Sequence, residues 1–413
     1  MPTTEDPDRL GDPVRRIPRS AQAAVARYFE IEENARPGCD SSCSPGRTLA
    51  PIDQTQSTAP GRTSVKRVCY DLAVDAMRII DSHFHWWPRE IFEQLCTRSG
   101  YPRAERNSGG GYNYVGHEGR PSLNSWAEWF DLDRQLEYMD HLGHEVSVVC
   151  SLGPFSIYFS DLPPDEGRDA AMMWNEAMAG AQKKYPDRVW ASAAVPLTDV
   201  NIAIEVLDHA INRLGLMGVN IPGSIGRDSR IDTERLAPFY ARVEQLGIPL
   251  FLHPTDAVFG EELEGYGGAL HLSLGRVIEV SVAASRLVFS GLMERHPDLK
   301  IVMSHTGGAL PYQSGRMDKN GKNAKLPLPP STYIRRMFTD TVSPHSMGIK
   351  FAIEYYGPDR VMYGSDYPCW DPAMALQLIQ EIGLPDADLE KILYYNARHI
   401  LGLKQVVEVG ASH

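Results

Sequence analysis

Five residues of the types that bind metal ions lie at the ends of separate apolar segments of this chain. His83 and His85 belong to the first segment, His253 and His305 end two further segments, and Asp366 follows a fourth. Imidazole and carboxylate groups are common protein ligands of zinc and similar divalent ions. Residues this far apart in sequence can surround one ion if the segments that carry them end side by side. The pattern predicts a mononuclear metalloenzyme.

The spacing of the first pair supports this prediction. His83 and His85 are two residues apart, so on a strand both side chains project from the same face. Buried histidines satisfied by hydrogen bonds are the alternative for this pair alone, but three further residues occupy equivalent positions. Three imidazoles and one carboxylate favour zinc and also suit iron, cobalt or manganese. A catalytic zinc needs an open position, so one of the five candidates is predicted to carry protons instead.

The elements that must position these residues alternate along the chain. From Met77 onward, short β-rich segments alternate with amphipathic helical segments, which predicts one (β/α)8 TIM barrel with functional residues at the carboxyl ends of its strands. A doubly wound sheet is the alternative, but no Gly-rich phosphate turn follows the first strand. The predicted strands are Arg78–Ser82, Val146–Cys150, Trp190–Val195, Met217–Ile221, Pro249–His253, Lys300–Ser304, Met337–Thr341 and Arg360–Tyr363.

One connection is unusually long. Residues 86–129 separate the first strand from its helix, and they contain several aromatic residues and a run of three glycines. Loops of this length in a compact domain are usually functional or disordered. Because this one leaves from the rim that carries the metal ligands, we expect an insertion that caps the site. Trp86 directly follows His85 and is predicted to line the pocket, although plain packing is equally compatible with its position.

The chain divides by composition into three parts. Residues 1–75 are rich in Pro, Ser, Thr, Asp and Arg, which predicts an N-terminal extension that is disordered or loosely docked. Residues 76–405 are predicted to form the barrel, and residues 406–413 a C-terminal tail. These boundaries rest on composition and on where the strand-like segments begin and end.

Charge and cysteine content exclude several classes of protein. The 413-residue chain has a formal net charge of -12, which argues against nucleic acid or anionic membrane as a partner. Its apolar runs are too short to span a bilayer, and the arginine pair near its start is not followed by the apolar segment of an export signal. Six scattered cysteines do not form a disulfide framework, so a reducing cytoplasm is the expected compartment.

Several longer strings surround the candidate ligands. They are Ile80-Asp81-Ser82-His83-Phe84-His85, Glu137-Tyr138-Met139-Asp140, Ala194-Val195-Pro196-Leu197, His253-Pro254, Ser304-His305-Thr306-Gly307-Gly308, Gly315-Arg316-Met317-Asp318 and Asp359-Arg360-Val361-Met362-Tyr363-Gly364-Ser365-Asp366-Tyr367-Pro368. Together they resemble the amidohydrolase superfamily and, within it, the aminocarboxymuconate-semialdehyde decarboxylase family. The likeness covers roughly residues 78–403.

The resemblance assigns roles to individual residues. It implies that His83, His85, His253 and Asp366 bind the metal and that His305 is the acid/base residue. It also implies that two arginines hold a substrate carboxylate. The matching residues are Arg120 in the insertion and Arg316, which would reach the site of the neighbouring subunit in a homodimer. For Arg120 the alternative is a solvated side chain, and for Arg316 a surface ion pair with Asp318.

One departure from the family pattern concerns the substrate. The family commonly has tryptophan after His-Pro at the end of strand five, whereas this chain has Thr255, so the identity of the substrate is left open. Asp340 ends strand seven at the same rim, where it would either orient a histidine or cap a helix.

Three functions are compatible with these residues. The leading hypothesis is a decarboxylase that needs no organic cofactor and acts on a small carboxylated aromatic or ring-cleavage compound. The alternative is a hydrolase of the same superfamily, in which activated water attacks a lactone, amide or similar carbonyl while Asp366 or His305 moves the proton. A catalytically silent metal-binding protein is a third. The reaction product distinguishes the first two, since only a decarboxylase releases carbon dioxide.

Overall fold

The computed structural model describes residues 77–115, 121–149, 162–225, 230–255, 261–263 and 265–403. These residues belong to a single unit, Asp71–His413. The predicted N-terminal extension, the C-terminal tail and the candidate Arg120 lie outside the described residues. Within the described part of the chain, no helix is both long enough and apolar enough to cross a bilayer.

Eleven strands form two sheets in the described residues. In chain order they are β1 (Ile79–Phe84), β2 (Arg103–Arg106), β3 (Tyr112–Val115), β4 (Pro121–Asn124), β5 (His144–Val149), β6 (Val189–Ala194), β7 (Gly218–Pro222), β8 (Pro249–His253), β9 (Lys300–Met303), β10 (Phe338–Asp340) and β11 (Val361–Met362). One sheet has eight strands in the order β1-β5-β6-β7-β8-β9-β10-β11, and neighbouring strands run parallel. All eight predicted barrel strands are confirmed.

Hydrogen bonds between the first strand and the segment after the last strand close the sheet into a barrel. The backbone N–H of Ser82 donates to the carbonyl of Tyr363 at 2.9 Å, and the N–H of His85 donates to Tyr367 at 2.8 Å. Asp366 donates from its backbone to the carbonyl of His83, also at 2.8 Å. Closure therefore places the two ends of the barrel sequence, with their candidate ligands, against each other.

Helices follow most of the strands and cover the barrel. In chain order they are α1 (Arg89–Leu95), α2 (Leu132–His141), α3 (Pro164–Lys184), α4 (Val200–Asn212), α5 (Ala237–Leu246), α6 (Arg276–Phe289), α7 (Leu292–Arg295), α8 (Leu310–Asn320), α9 (Pro330–Ile334), α10 (Ser346–Tyr356), α11 (Pro372–Gln380), α12 (Asp386–Glu390) and α13 (Asn396–Ile400). Several begin at an aspartate that caps the helix. Asp131 and Asp199 precede α2 and α4, and each carboxylate accepts hydrogen bonds from the first-turn N–H groups. The longer helices, such as α3, α4 and α6, bury apolar residues in the hydrophobic core.

The long connection after β1 folds into a small subdomain. It contains α1 and the antiparallel sheet β2-β3-β4. Gly111 needs to be glycine, because a Cβ there would lie 2.3 Å from the carbonyl oxygen of Ser125. The insertion returns to the barrel through Trp129, whose carbonyl accepts the N–H of Trp87. The described part of the predicted capping insertion thus consists of regular elements and ends beside the rim.

Candidate metal centre

Three imidazoles and one carboxylate meet at the carboxyl end of the barrel. His83 lies near the end of β1, His85 directly follows it, His253 ends β8, and Asp366 lies on the turn after β11. One ligand atom from each of the four lies within 4.8 Å of the other three. All four side chains are buried. The structure therefore brings together the four residues predicted to hold the ion.

The ligand atoms face one another at short range. Nε2 of His85 lies 2.9 Å from Oδ1 of Asp366, and Nε2 of His83 lies 3.4 Å from the same oxygen. The two Nε2 atoms are 3.1 Å apart. Imidazole nitrogen atoms and a carboxylate oxygen that lie this close together form a donor set suited to a divalent ion of the zinc type.

Hydrogen bonds on the outer sides of two rings direct their free nitrogen atoms inward. Nδ1 of His83 lies 2.6 Å from Oδ2 of Asp340, and Nδ1 of His253 lies 2.7 Å from the carbonyl oxygen of Pro254. Both acceptors hold the ring proton on Nδ1, which leaves a lone pair on each Nε2. Nε2 of His253 is buried and has no hydrogen-bond partner in the described residues. A cation at the centre would satisfy this nitrogen, so the residues fit a bound metal ion.

The charge distribution also suits a cation. Burial, aided by the neighbouring imidazoles, lowers the pKa of His253 well below its usual range, and burial likewise lowers the pKa of His85. Burial alone would lower the pKa of His83, but the carboxylates of Asp366 and Asp340 raise it well above normal. Burial opposes ionisation of Asp366, yet the facing histidines hold its pKa well below its usual range. Asp366 is therefore ionised and His85 and His253 are neutral, as ligands of a divalent ion must be, and binding of the ion would displace the proton from His83.

Three residues of the centre have unusual backbone conformations. His305, Thr306 and Asp366 have φ angles of 54°, 56° and 60°, in the left-handed region that favours glycine. Each such residue costs about 1–2 kcal/mol, and this strain is common at functional sites. Hydrogen bonds hold the conformation in place, since the N–H of Thr306 donates to Oδ1 of Asp340 at 3.2 Å.

Asp81 fixes the turn that carries Asp366. Its Oδ1 accepts hydrogen bonds from the backbone N–H of His83 at 3.1 Å and of Ser365 at 3.0 Å. Its Oδ2 accepts the hydroxyl of Ser365 at 2.5 Å. Burial raises the pKa of Asp81 to about 6, which the hydrogen bonds partly oppose. One buried carboxylate thus ties the first strand to the segment after the last strand.

His305 lies beside the four candidate ligands. Its Nε2 is 3.7 Å from Oδ2 of Asp366, and its ring centre is 5.4 Å from that of His253. Its Nδ1 is buried without a hydrogen-bond partner in the described residues. The structure therefore places a ring with an uncommitted nitrogen next to the centre, where a proton carrier is needed.

The other described residues that were predicted to take part in the site are Trp86, Arg316 and Asp340, and their surroundings differ. Trp86 is half-buried and packs against the core, with its indole Nε1 buried. Arg316 is exposed on α8, and Asp318 accepts two hydrogen bonds from Ser331. The carboxylate of Asp340 orients the ring of His83, which is one of the two roles predicted for this residue.

Two residues that support the centre were not predicted. Gln135, buried in α2, donates from Nε2 to the carbonyl of His85 at 3.1 Å. The ring of Trp129 stacks on the imidazole of His85, with ring centres 5.7 Å apart. Nothing in the sequence near either residue indicates contact with β1, because both contacts depend on how the insertion and α2 pack against the barrel.

Comparison with known proteins finds relatives of this chain. The sequence model of the amidohydrolase family matches residues 80–403. The gamma-resorcylate decarboxylase of Rhizobium is 30% identical over 290 residues, which cover 66% of this chain and 87% of that protein. The 2-amino-3-carboxymuconate-6-semialdehyde decarboxylase of Dictyostelium discoideum is 26% identical over 291 residues, covering 68% and 78%.

A solved structure has the same fold. The crystal structure of 2,6-dihydroxybenzoate decarboxylase from Rhizobium superposes with a TM-score of 0.65 at 25% sequence identity. The match covers 79% of this chain and 98% of that one. The eight-stranded barrel described above is therefore shared with a decarboxylase along almost the whole length of that enzyme.

Proposed function

The chain belongs to the amidohydrolase family, and from that premise we propose that it is a metal-dependent carboxy-lyase. It removes carbon dioxide from a small carboxylated aromatic or ring-cleavage compound and needs no organic cofactor. The observation that carries the proposal is the buried cluster of His83, His85, His253 and Asp366 with His305 beside it. The relatives named above are decarboxylases of such compounds.

We assign the four clustered residues as ligands of one divalent ion. Zinc is the proposed metal, because three imidazoles and one carboxylate are a common zinc donor set. When bound, the ion supplies a Lewis acid that attracts substrate oxygen atoms and stabilises negative charge. Asp340 and the carbonyl of Pro254 keep two of the ligand rings in the required tautomer.

His305 is the proposed acid. In its protonated form it gives a proton to the substrate carbon that bears the carboxylate. The bond between that carbon and the carboxyl carbon then breaks, its electron pair restores the conjugated system, and carbon dioxide leaves. The imidazole regains a proton from solvent, so one proton is consumed for each carbon dioxide released. Burial of the centre keeps competing water away from the reacting carbon.

A carboxylate substrate requires cationic partners. We propose that Arg120 and Arg316 pair with it, each through the two-pronged geometry of the guanidinium group. Arg316 projects from α8 at the surface of its own chain, which suits a residue that serves a neighbouring site. Large apolar side chains on α8 and α10 are also exposed, namely Tyr312 (77%), Met347 (70%) and Phe351 (45%). Apolar surface of this kind favours an interface, and we propose a homodimer as the active unit.

The proposed compartment is the cytoplasm. Cys96, which is partly buried, carries a free thiol, and burial raises its pKa. A protonated thiol of this kind persists in a reducing compartment.

Product analysis tests the proposed reaction. Protein loaded with Zn²⁺ is incubated with 2,6-dihydroxybenzoate and other hydroxylated benzoates, with lactones and anilides as hydrolase substrates. We expect carbon dioxide in amounts equal to a product that has lost one carboxyl group. Addition of water without carbon dioxide release would instead establish a hydrolase. Bound metal with no change in any compound would favour a binding protein.

A further inference from the structure

Glu279 is a buried carboxylate near the start of α6, and the residue is only 1% exposed. Its Oε2 accepts the backbone N–H of Thr255 at 3.0 Å, and its Oε1 accepts the hydroxyl of the same residue at 2.9 Å. The hydroxyl of Ser224 also donates to Oε1, at 3.4 Å. Burial of a carboxylate is unfavourable unless hydrogen bonds compensate for the lost water. One side chain of α6 therefore holds the segments that follow β7 and β8.

A glycine allows the carboxylate to come this close to the rim. Gly223 directly follows β7, and a Cβ there would lie 2.6 Å from Cγ of Glu279 and 2.8 Å from its Oε1. No side chain fits at these distances, so the glycine leaves the space that the carboxylate fills. The backbone N–H of Gly223 donates to the carbonyl oxygen of His253 at 3.0 Å. Gly223 therefore contacts both the carboxylate and a candidate metal ligand.

A single peptide group connects Glu279 to that ligand. The carbonyl of Pro254 and the N–H of Thr255 belong to the same peptide group, and they point in opposite directions because a trans peptide is planar. The N–H donates to Glu279, and the carbonyl oxygen lies 2.7 Å from Nδ1 of His253. The carboxylate thus sets the orientation of the peptide group that holds the His253 ring.

Hydrogen bonds that follow one another in this way strengthen each other. A carboxylate that accepts the N–H polarises the peptide group, which makes its carbonyl oxygen a better acceptor. A better acceptor for the proton on Nδ1 makes Nε2 of the same imidazole a stronger metal ligand. Asp340 binds the ring of His83 directly, at 2.6 Å. For His253 the carboxylate acts through one peptide group instead.

We propose that Glu279 is a positioning residue for the metal centre, and that it holds His253 in its metal-binding orientation through the peptide group of Pro254 and Thr255. The inference rests on the proposed function, because it takes His253 as a ligand of the ion. The ligands themselves come from strand ends and from the turn after β11. Glu279 adds the buried face of α6 to the elements that determine how tightly the ion is held.

The zinc affinity of folded variants tests this role. Glu279→Gln keeps the size of the side chain and removes its charge, so the zinc Kd should rise about tenfold or more. Competition with a chelating dye measures it. Gly223→Ala should also raise the Kd, since the added methyl group displaces the carboxylate, and this variant decides the question if Glu279→Gln does not fold. Thr255→Val removes only the hydroxyl contact and should have a clearly smaller effect.

A second measurement separates positioning from a purely structural role. The visible absorption of Co²⁺-loaded protein reports the arrangement of ligands around the ion, and it should differ from wild type in Glu279→Gln. The matched control is Glu244→Gln. The carboxylate of Glu244 also accepts a backbone N–H, from Asp298 at 2.9 Å, and lies 2.8 Å from Nδ1 of His296. These contacts lie just before the start of β9, so this variant should keep the wild-type Kd and spectrum.

Circular dichroism shows whether each variant is folded. A zinc Kd or a cobalt spectrum equal to wild type in folded Glu279→Gln overturns the proposal. An effect of Thr255→Val as large as that of Glu279→Gln also overturns it, because the hydroxyl contact would then matter and not the peptide group. Wild-type protein that binds neither ion would overturn the metal centre and this inference together. Failure of the decarboxylase proposal alone appears separately, as zinc-loaded protein that releases no carbon dioxide.

Discussion

Individual residues of the centre divide into those committed to structure and those left available for chemistry. His83 and His253 each use Nδ1 in a hydrogen bond of 2.6–2.7 Å, which turns Nε2 towards the centre. His305 commits neither ring nitrogen to a hydrogen bond in the described part of the chain, since Asp366 lies 3.7 Å away. The difference separates two ligands from a group that is able to exchange protons.

Replacing His305 with Gln tests this division. Loss of a general acid typically lowers the rate about 10²–10⁴-fold, so we expect kcat to fall by that factor. Zinc content should stay at the wild-type value, because His305 is not assigned as a ligand. Elemental analysis and carbon dioxide release measure the two properties on the same sample. A variant that loses its zinc along with its activity would place His305 among the ligands.

Asp340 supports the centre without belonging to it. Asp340→Asn should weaken zinc binding about 10–100-fold, the usual effect of removing a carboxylate that holds a ligand histidine. Competition with a chelating dye measures the affinity. Asp371→Asn is the matched control, since Asp371 accepts hydrogen bonds from Ala373 and Tyr138. Equal zinc affinity in Asp340→Asn and wild type would show that the 2.6 Å hydrogen bond does not position His83.

At the scale of elements, the barrel strands could be predicted because buried parallel strands are short continuous apolar runs. The predicted strand Pro249–His253 has those bounds in the structure. The amphipathic pattern of the sequence runs without a break from Val277 to Arg295 and predicts one helix there, whereas the structure has two, α6 and α7. Gly291 separates them with a φ of 72°, a conformation that glycine adopts at little cost. The amphipathic pattern of the sequence thus located the helical segment correctly but did not reveal the break at Gly291.

Elements defined by distant partners could not be predicted. β2 consists of Arg-Ala-Glu-Arg, residues that favour a helix, yet it is a strand because it pairs with β3. The contacts of Gln135 and Glu279 likewise depend on which helix covers which strand. The metal-centre residues were identifiable because strand ends of a barrel converge by topology alone. Residues that support them from helices carry no such signal.

The second barrel strand carries a buried histidine that should make stability depend on pH. His144 begins β5, and its Nε2 lies 3.0 Å from the hydroxyl of Tyr363. Burial lowers its pKa to about 3, whereas an unfolded histidine has a pKa of about 6.5. Between these values the unfolded chain binds a proton that the folded protein does not. His144 therefore reduces stability as the pH falls from about 6.5 towards 3, and has no such effect above about 6.5.

Urea unfolding of wild type and His144→Gln at pH 7, 5.5 and 4.5 checks this prediction. The free energy of unfolding should fall more steeply with acidification in wild type than in the variant. Asp81, with its pKa raised to about 6, has the opposite effect, because the folded protein binds its proton first as the pH falls. It does so equally in both proteins and cancels from the difference. Identical pH dependence would show that His144 becomes protonated without unfolding.

At the scale of the whole molecule, closure of the barrel is what creates the site. The first strand contributes His83 and His85, and the segment after the last strand contributes Asp366, so the centre exists only when the two ends pair. The exposed Arg316 raises the question of whether one chain completes its own site. We propose that this arginine serves the site of the partner chain in a homodimer.

Mixed dimers test that assignment. Arg316→Ala and His305→Gln should each have little activity alone. In each hybrid formed by co-expression, one of the two sites receives both wild-type residues. Because hybrids make up about half of the dimers, the activity of the mixture should return to about a quarter of wild type. Size-exclusion chromatography confirms the oligomeric state, and an exposed Lys350→Ala variant mixed with His305→Gln controls for mixing itself. Hybrids without restored activity would place Arg316 in the site of its own chain or outside any site.

The most direct test of the account is the number of metal ions bound per chain, measured by elemental analysis after dialysis against a weak chelator. We expect one ion per chain in the wild type and in His305→Gln. His83→Ala, His253→Ala and Asp366→Ala, each checked for folding by circular dichroism, should retain less than about a tenth of that amount. Wild-type protein without bound metal, or folded ligand variants that keep a full ion, would contradict the proposed centre.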